Sequence, residues 1–306
     1  MVKPKLGDVI RRDIKKNKYL YLLVTPVILF YIIFHYVPMY GAVIAFKNFN
    51  PAKGILGSSW VGFKHFTDFF TDYYFVRILR NTLTISLSSI IFGFPAPIIL
   101  ALLINELKSR KFVRITQTIT YLPHFISMVV VAGMIKELTA SNGIINDITA
   151  FFGAERVTML TRKDMFVPLF VISGIWQEVG WGSIVYIAAL SGIDPSLYQA
   201  AMIDGAGRGR QLLHITLPGI LPTIVTLFIL RMGAVLNVGF EKIILLYNPA
   251  TIETADVISS FVYRKGIGDA NYSYATAVGL FNSVINFLML ILSNKLSKKF
   301  SETSLW

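Results

Sequence analysis

Long apolar runs alternate with short polar segments along this chain. No Asp, Glu, Lys or Arg falls between Lys18 and Lys47, between Arg80 and Glu106, between Arg114 and Lys136, or between Asp269 and Lys295. Two further runs carry one charge each: Glu178 between Asp164 and Asp194, and Arg231 between Arg210 and Glu241. A helix needs about 20 apolar residues to cross a bilayer, so the pattern predicts an all-α membrane protein with six transmembrane helices. The first run is too long for the apolar core of a signal peptide and lacks a small-residue cleavage site, which predicts a retained helix. The implied order is a basic N-terminal segment (1–18), a first transmembrane helix (19–46), an outer loop (47–80), a core of five transmembrane helices (81–295) and a tail (296–306). A polar insertion at 191–218 interrupts the core.

Composition agrees. Hydrophobic residues make up 54% of the 306 positions and charged residues 15%, against about 25% charged in soluble domains. The net charge of +12 does not point to nucleic acid, because the basic residues gather between apolar runs and not on one face. With the N-terminus inside, inner segments hold 16 Lys and Arg and outer segments 12, the latter spread over longer loops. That bias places both termini, and the 191–218 insertion, in the cytoplasm. Residues 1–18 then lie where anionic inner-leaflet lipid attracts them.

In the outer loop, Phe63, Phe66, Phe69, Phe70, Tyr73 and Tyr74 recur near helical spacing. They predict an interfacial helix, with docking of an external protein as the alternative. Prolines fall in five of the six runs (Pro26 and Pro38, Pro95 and Pro97, Pro123, Pro168, Pro222), which suits a transporter or channel more than a rigid anchor.

Catalytic signatures are missing. The chain has no H-E-x-x-H, no G-x-S-x-G and no G-x-x-x-x-G-K-[ST] motif, so it has no phosphate-cradling loop of its own. Without cysteine it has neither disulfides nor thiolate metal sites, and its four histidines lack metal-ligand spacing.

The insertion contains "YQAAMIDGAGRGRQLLHITLP", from Tyr198 to Pro218. Residues up to Asp204 suit a helix, Asp204-Gly205 is a turn signal with Gly205 able to take the left-handed conformation, and "RQLLHITLP" restarts a helix. A small apolar face of Ala200, Ala201 and Ala206 is predicted to allow close approach to another protein.

This stretch resembles the EAA loop of the membrane subunits of bacterial ABC importers, E-A-A-x-x-D-G-A followed by a hydrophobic residue and I-x-L-P. Ala200, Ala201, Asp204, Gly205, Ala206, Ile215, Leu217 and Pro218 match in register, while Gln199 replaces the usual Glu and Leu212 a frequent Phe. The resemblance makes the stretch, with Arg208 and Arg210, a coupling helix that seats in a cytoplasmic ATPase. "YLPHFIS" (121–127), "AALSGIDPSLYQAA" (188–201) and "FEKIILLYNP" (240–249) extend it to MalF-like carbohydrate permeases, and "HYVPMYGAVIAFKNFNPAKGI" (35–55) to the LplB-type branch. The resemblance implies the type I importer permease fold, a second similar permease, two copies of the ATPase and an extracellular sugar-binding protein. It implies no cofactor on this chain, ATP and magnesium being bound by the ATPase.

Polar residues at membrane depth mark pathways. Trp176, Gln177, Glu178 and Trp181 in the fourth run, Arg231 and Asn237 in the fifth, and Asn282 and Asn286 in the sixth are the candidates. Gln177, Trp181, Arg231 and Ala234 fall at positions similar to sugar contacts of MalF-like permeases. Two readings of Arg231 stay open: it binds the carboxylate of an acidic sugar, or it pairs with Glu178. The competing function is an ion-coupled secondary transporter, for which one Glu and one Arg are thin support.

Overall fold

The computed structural model describes residues 6–301, 304 and 305. Residues 1–5 of the expected basic segment and 302, 303 and 306 of the tail lie outside the described residues. Among those described, the fold is helical apart from one antiparallel pair, Lys47–Asn48 with Ser59–Trp60, in which Lys47 faces Trp60.

Among the described residues, five stretches are long and apolar enough to cross a membrane: Lys18–Phe46, Phe75–Asn105, Met128–Phe151, Arg208–Met232 and Tyr272–Lys299. Phe166–Ser191 is a single helix of 26 residues, but Trp176, Gln177, Glu178 and Trp181 dilute its apolar character. Two boundaries differ from the apolar runs. The run at 114–136 does not form one helix: Arg110–Tyr121 ends in a tight turn at Leu122–Phe125, and Met128–Thr139 starts afresh with Ser127 as its cap. Pro123 disfavours a continuous helix by clashing with the preceding turn, and the Ser127 hydroxyl accepts the Val130 N–H. The second long helix begins at Phe75, ahead of Arg77 and Arg80. Arg77 is tolerated there because the buried Asp256 carboxylate lies 3.8 Å away.

Proline also shapes the long helices. Wide π turns at Ile32–Tyr36, Ser89–Gly93 and Leu212–Thr216 precede Pro38, Pro95 and Pro218. A proline cannot donate to the carbonyl four residues back and its ring crowds that carbonyl, so the turn before it widens.

Among the described residues, three apolar clusters hold the bundle. One joins Ile85, Val131, Phe166, Phe170 and Ile243; a second joins Phe69, Ile78, Leu236, Phe261 and Val278; a third joins Ala101, Tyr186, Leu190 and Ile220. In the expected aromatic helix, formed over Lys64–Phe70, Phe69 is buried beside Phe75 and Phe281, while Phe63 and Tyr73 remain exposed. The segment after the fifth long helix is tied down by Asp256, which accepts both guanidinium nitrogens of Arg264 at 2.7 and 2.6 Å and the Ser260 hydroxyl at 2.7 Å.

Candidate transport cavity and docking loop

A cavity of about 570 Å³ opens between the Phe166–Ser191 helix, the turn at Ser89–Gly93 and the break that follows Met232. Its wall includes Gln177, Glu178, Trp181, Arg231 and Asn237, five of the residues expected from sequence. Ala234 lies in the break but does not line the cavity. The Phe166–Ser191 helix can sit this deep because of Gly180, where a Cβ would lie 2.0 Å from the Thr120 carbonyl oxygen.

The two expected charges do not pair with each other. Glu178 is held by His124, whose Nδ1 lies 2.9 Å from its carboxylate. The His124 ring in turn stacks flat on Trp181, with centroids 4.4 Å apart. Arg231 makes no ion pair or hydrogen bond among the described residues. The Arg231–Glu178 pair is therefore corrected: the turn at Pro123 brings a third element, carrying His124, to the carboxylate as its partner.

Asn237 anchors the break. Its Oδ1 accepts the amides of Asn282 at 2.9 Å and Asn286 at 3.1 Å, and the Asn286 Oδ1 accepts the Leu236 N–H at 2.9 Å. Asn286 thus satisfies a backbone N–H where the fifth helix unwinds, and both sixth-run asparagines hold the Asn237 side chain. The Ser86 hydroxyl donates to the Val235 carbonyl from the other side.

Lys242 is absent from the sequence candidates because its position groups it with the outer loop. It sits in the short helix Phe240–Leu246, is 4% exposed and lines the cavity. Its Nζ donates to the Phe170 carbonyl at 2.9 Å and lies 4.7 Å from the centre of the Phe170 ring. Burial pushes this ammonium down to about 8, opposed by the charge of Glu178. The usable sequence signal is a Glu241-Lys242 pair ahead of four apolar residues, Ile243 to Leu246.

Away from the cavity, the 198–218 stretch forms the expected helix, glycine turn and second helix. Asp194 caps the helix Pro195–Ile203 by accepting the Ser196 N–H at 2.8 Å, a bond that holds its carboxyl below the usual range. The helix ends at Gly205 with φ +74°, where the Ala206 N–H reaches the Ala201 carbonyl at 2.8 Å, a common glycine-terminated arrangement. The Gln211 side chain donates to the Ala206 carbonyl at 2.8 Å, and the Tyr198 and Thr216 hydroxyls meet at 3.0 Å. Ala201 and Ala206 are half-buried inside the turn, whereas Leu197, Met202 and Ile203 stand exposed, Ile203 by 87%. The protruding apolar face is thus larger than the alanine face expected. Gln199, Asp204, Arg208 and Arg210 are exposed and Leu212 is half-buried. Arg208 reaches Glu106 only at 4.0 Å.

A bundle of long apolar helices, a mainly apolar cavity with a few polar and charged side chains in its wall, and a projecting helix–turn–helix loop fit a membrane permease. Residues 93–302 match the family of binding-protein-dependent transport system inner membrane components. The chain belongs to this family: it is a multi-pass, non-catalytic permease subunit of an ABC importer, of a kind that carries no cofactor, which sets aside the ion-coupled carrier. It is 44% identical over 292 residues to the polygalacturonan/rhamnogalacturonan transport system permease protein YteP of Bacillus subtilis, covering 95% of this chain and 91% of the relative. Protein LplB of the same organism is 44% identical over 294 residues, covering 96% and 92%. A crystal structure of a bacterial alginate ABC transporter in complex with alginate pentasaccharide-bound periplasmic protein contains a chain with 45% identity and a TM-score of 0.88, covering 96% of this chain and 99% of that one.

Proposed function

We propose that this permease forms half of a pathway that imports uronate-containing oligosaccharides. The observation that carries this reading is Arg231, a guanidinium lining the cavity with no anion of its own among the described residues. A planar guanidinium matches a carboxylate through two parallel hydrogen bonds, and alginate and polygalacturonan are polymers of uronic acids. Trp181 offers an aromatic face for the C–H surface of a sugar ring, and Gln177 an amide for its hydroxyls.

In this reading six helices span the membrane in the type I importer arrangement, with both termini and the 191–218 loop in the cytoplasm. A second, similar permease completes the pathway, an extracellular binding protein delivers the sugar, and two ATPase subunits close on ATP and magnesium. The exposed Leu197, Met202 and Ile203 seat in the ATPase, with Gln199 as a neutral hydrogen-bonding replacement for the usual glutamate. Closure of the ATPases then rocks the bundle through the capped helix Pro195–Ile203.

Reconstitution with the co-purifying partners tests the proposal. Alginate and galacturonate trisaccharides are expected to stimulate ATP hydrolysis at least tenfold more effectively than their carboxyl-reduced counterparts. Equal stimulation by both forms contradicts it.

A further inference from the structure

We infer that Lys242 is a second carboxylate-binding group of the cavity, acting beside Arg231 and setting the preference for acidic sugars. This rests on the uronate reading of the pathway.

Lys242 is buried to 4% exposure, yet no carboxylate lies within ion-pair distance of it among the described residues. An ammonium has three donors. One is used on the Phe170 carbonyl at 2.9 Å, and the other two have no protein acceptor among the described residues. A buried charge without a counter-ion is unfavourable and is ordinarily paired or neutralised. The acid whose field reaches it, Glu178, is already held by His124 at 2.9 Å.

The surroundings of Nζ leave it room. Gly174, one helical turn before Glu178, borders it, and even a Cβ there would stand only in ordinary contact, at 3.4 Å. The Phe170 ring covers another side at 4.7 Å, a favourable place for a cation. The cavity therefore carries two cations, Arg231 and Lys242, and one engaged anion, Glu178, giving a surplus of positive charge on its wall. A ligand bearing more than one carboxylate, such as consecutive uronate units, supplies the missing counter-charge to both.

The test is uptake by the complete transporter reconstituted with its partners, using alginate trisaccharide and its carboxyl-reduced form. Lys242→Met is expected to raise the KM for the uronate trisaccharide about tenfold, to leave that of the reduced form within twofold, and Lys242→Arg to restore most of the difference. If Lys242→Met fails to assemble with its partners, Lys242→Gln is measured in the same way. Equal loss on both sugars, or no change on either, assigns Lys242 a purely structural role and overturns the inference. A wild-type transporter that prefers uronates through Arg231 but is unmoved by Lys242 substitution overturns this inference alone. A wild-type transporter with no preference for the uronate overturns the uronate reading and this inference together.

Discussion

Glu178 gives its carboxylate to His124, 2.9 Å away, and leaves Arg231 without an anion among the described residues. Among the described residues Glu178 is the only acid in the cavity wall, and it is already engaged.

Releasing Glu178 is expected to quench the site. His124→Ala removes the partner and the stacked ring, freeing the carboxylate to compete for Arg231. Uptake assays should show a several-fold higher KM for a uronate trisaccharide and little change for its reduced form. The double variant His124→Ala, Glu178→Gln should regain most of the lost affinity. A double variant as impaired as the single one argues against competition.

The lowered Lys242 value sets a pH dependence. Its ammonium is charged below about 8 and neutral above, so uronate uptake should decline as pH rises through 8, whereas uptake of the reduced sugar has no such limb. Stability runs the other way. Between about 8 and the ordinary lysine value the unfolded chain binds more protons than the folded one, so folding gains with rising pH in that window. Initial uptake rates at fixed low substrate, compared between wild type and Lys242→Arg, check the first statement; the arginine variant should stay flat to higher pH.

At Gly205 the constraint is conformational. A Cβ there would meet nothing within 4 Å beyond its own chain neighbours, but φ is +74°. A side chain in this region costs on the order of 1–2 kcal/mol, and a β-branched one is the least tolerated. Gly205→Val is therefore expected to insert normally but to lose ATPase co-purification and sugar-stimulated ATP hydrolysis, with Gly205→Asn close to wild type.

Gly180 is limited by space. Gly180→Ala places a methyl 2.0 Å from the Thr120 carbonyl, which forces two helices apart at a cost of roughly 1–3 kcal/mol or more. A lower thermal midpoint of the purified complex, with loss of uptake for acidic and reduced sugars alike, is the expected outcome.

Most helices are legible in the sequence because charge-free runs respond to a local requirement, the absence of unpaired charge in hydrocarbon. The turn at Gly205 is legible for a similar reason, being encoded in adjacent residues. Non-local partners are not. The helix starting at Phe75 includes Arg77 only because Asp256, far along the chain, compensates it. The role of Asn237 depends on Asn282 and Asn286, whose shared helix face is visible in the sequence but whose partner is not. Lys242 reads as an ordinary loop lysine until the short helix Phe240–Leu246 is seen packed against Phe170 and Gly174. Within the cavity, Ala234 does not line the wall with its five expected neighbours, and His124, isolated in the sequence, proves to hold Glu178.

The most direct test of the uronate reading is competitive uptake of alginate trisaccharide and its carboxyl-reduced form by the reconstituted transporter, with wild-type Arg231 and with Arg231→Ala. A strong wild-type preference for the uronate is expected, falling at least tenfold in the variant while uptake of the reduced sugar persists. An Arg231→Ala transporter that keeps the wild-type preference contradicts it.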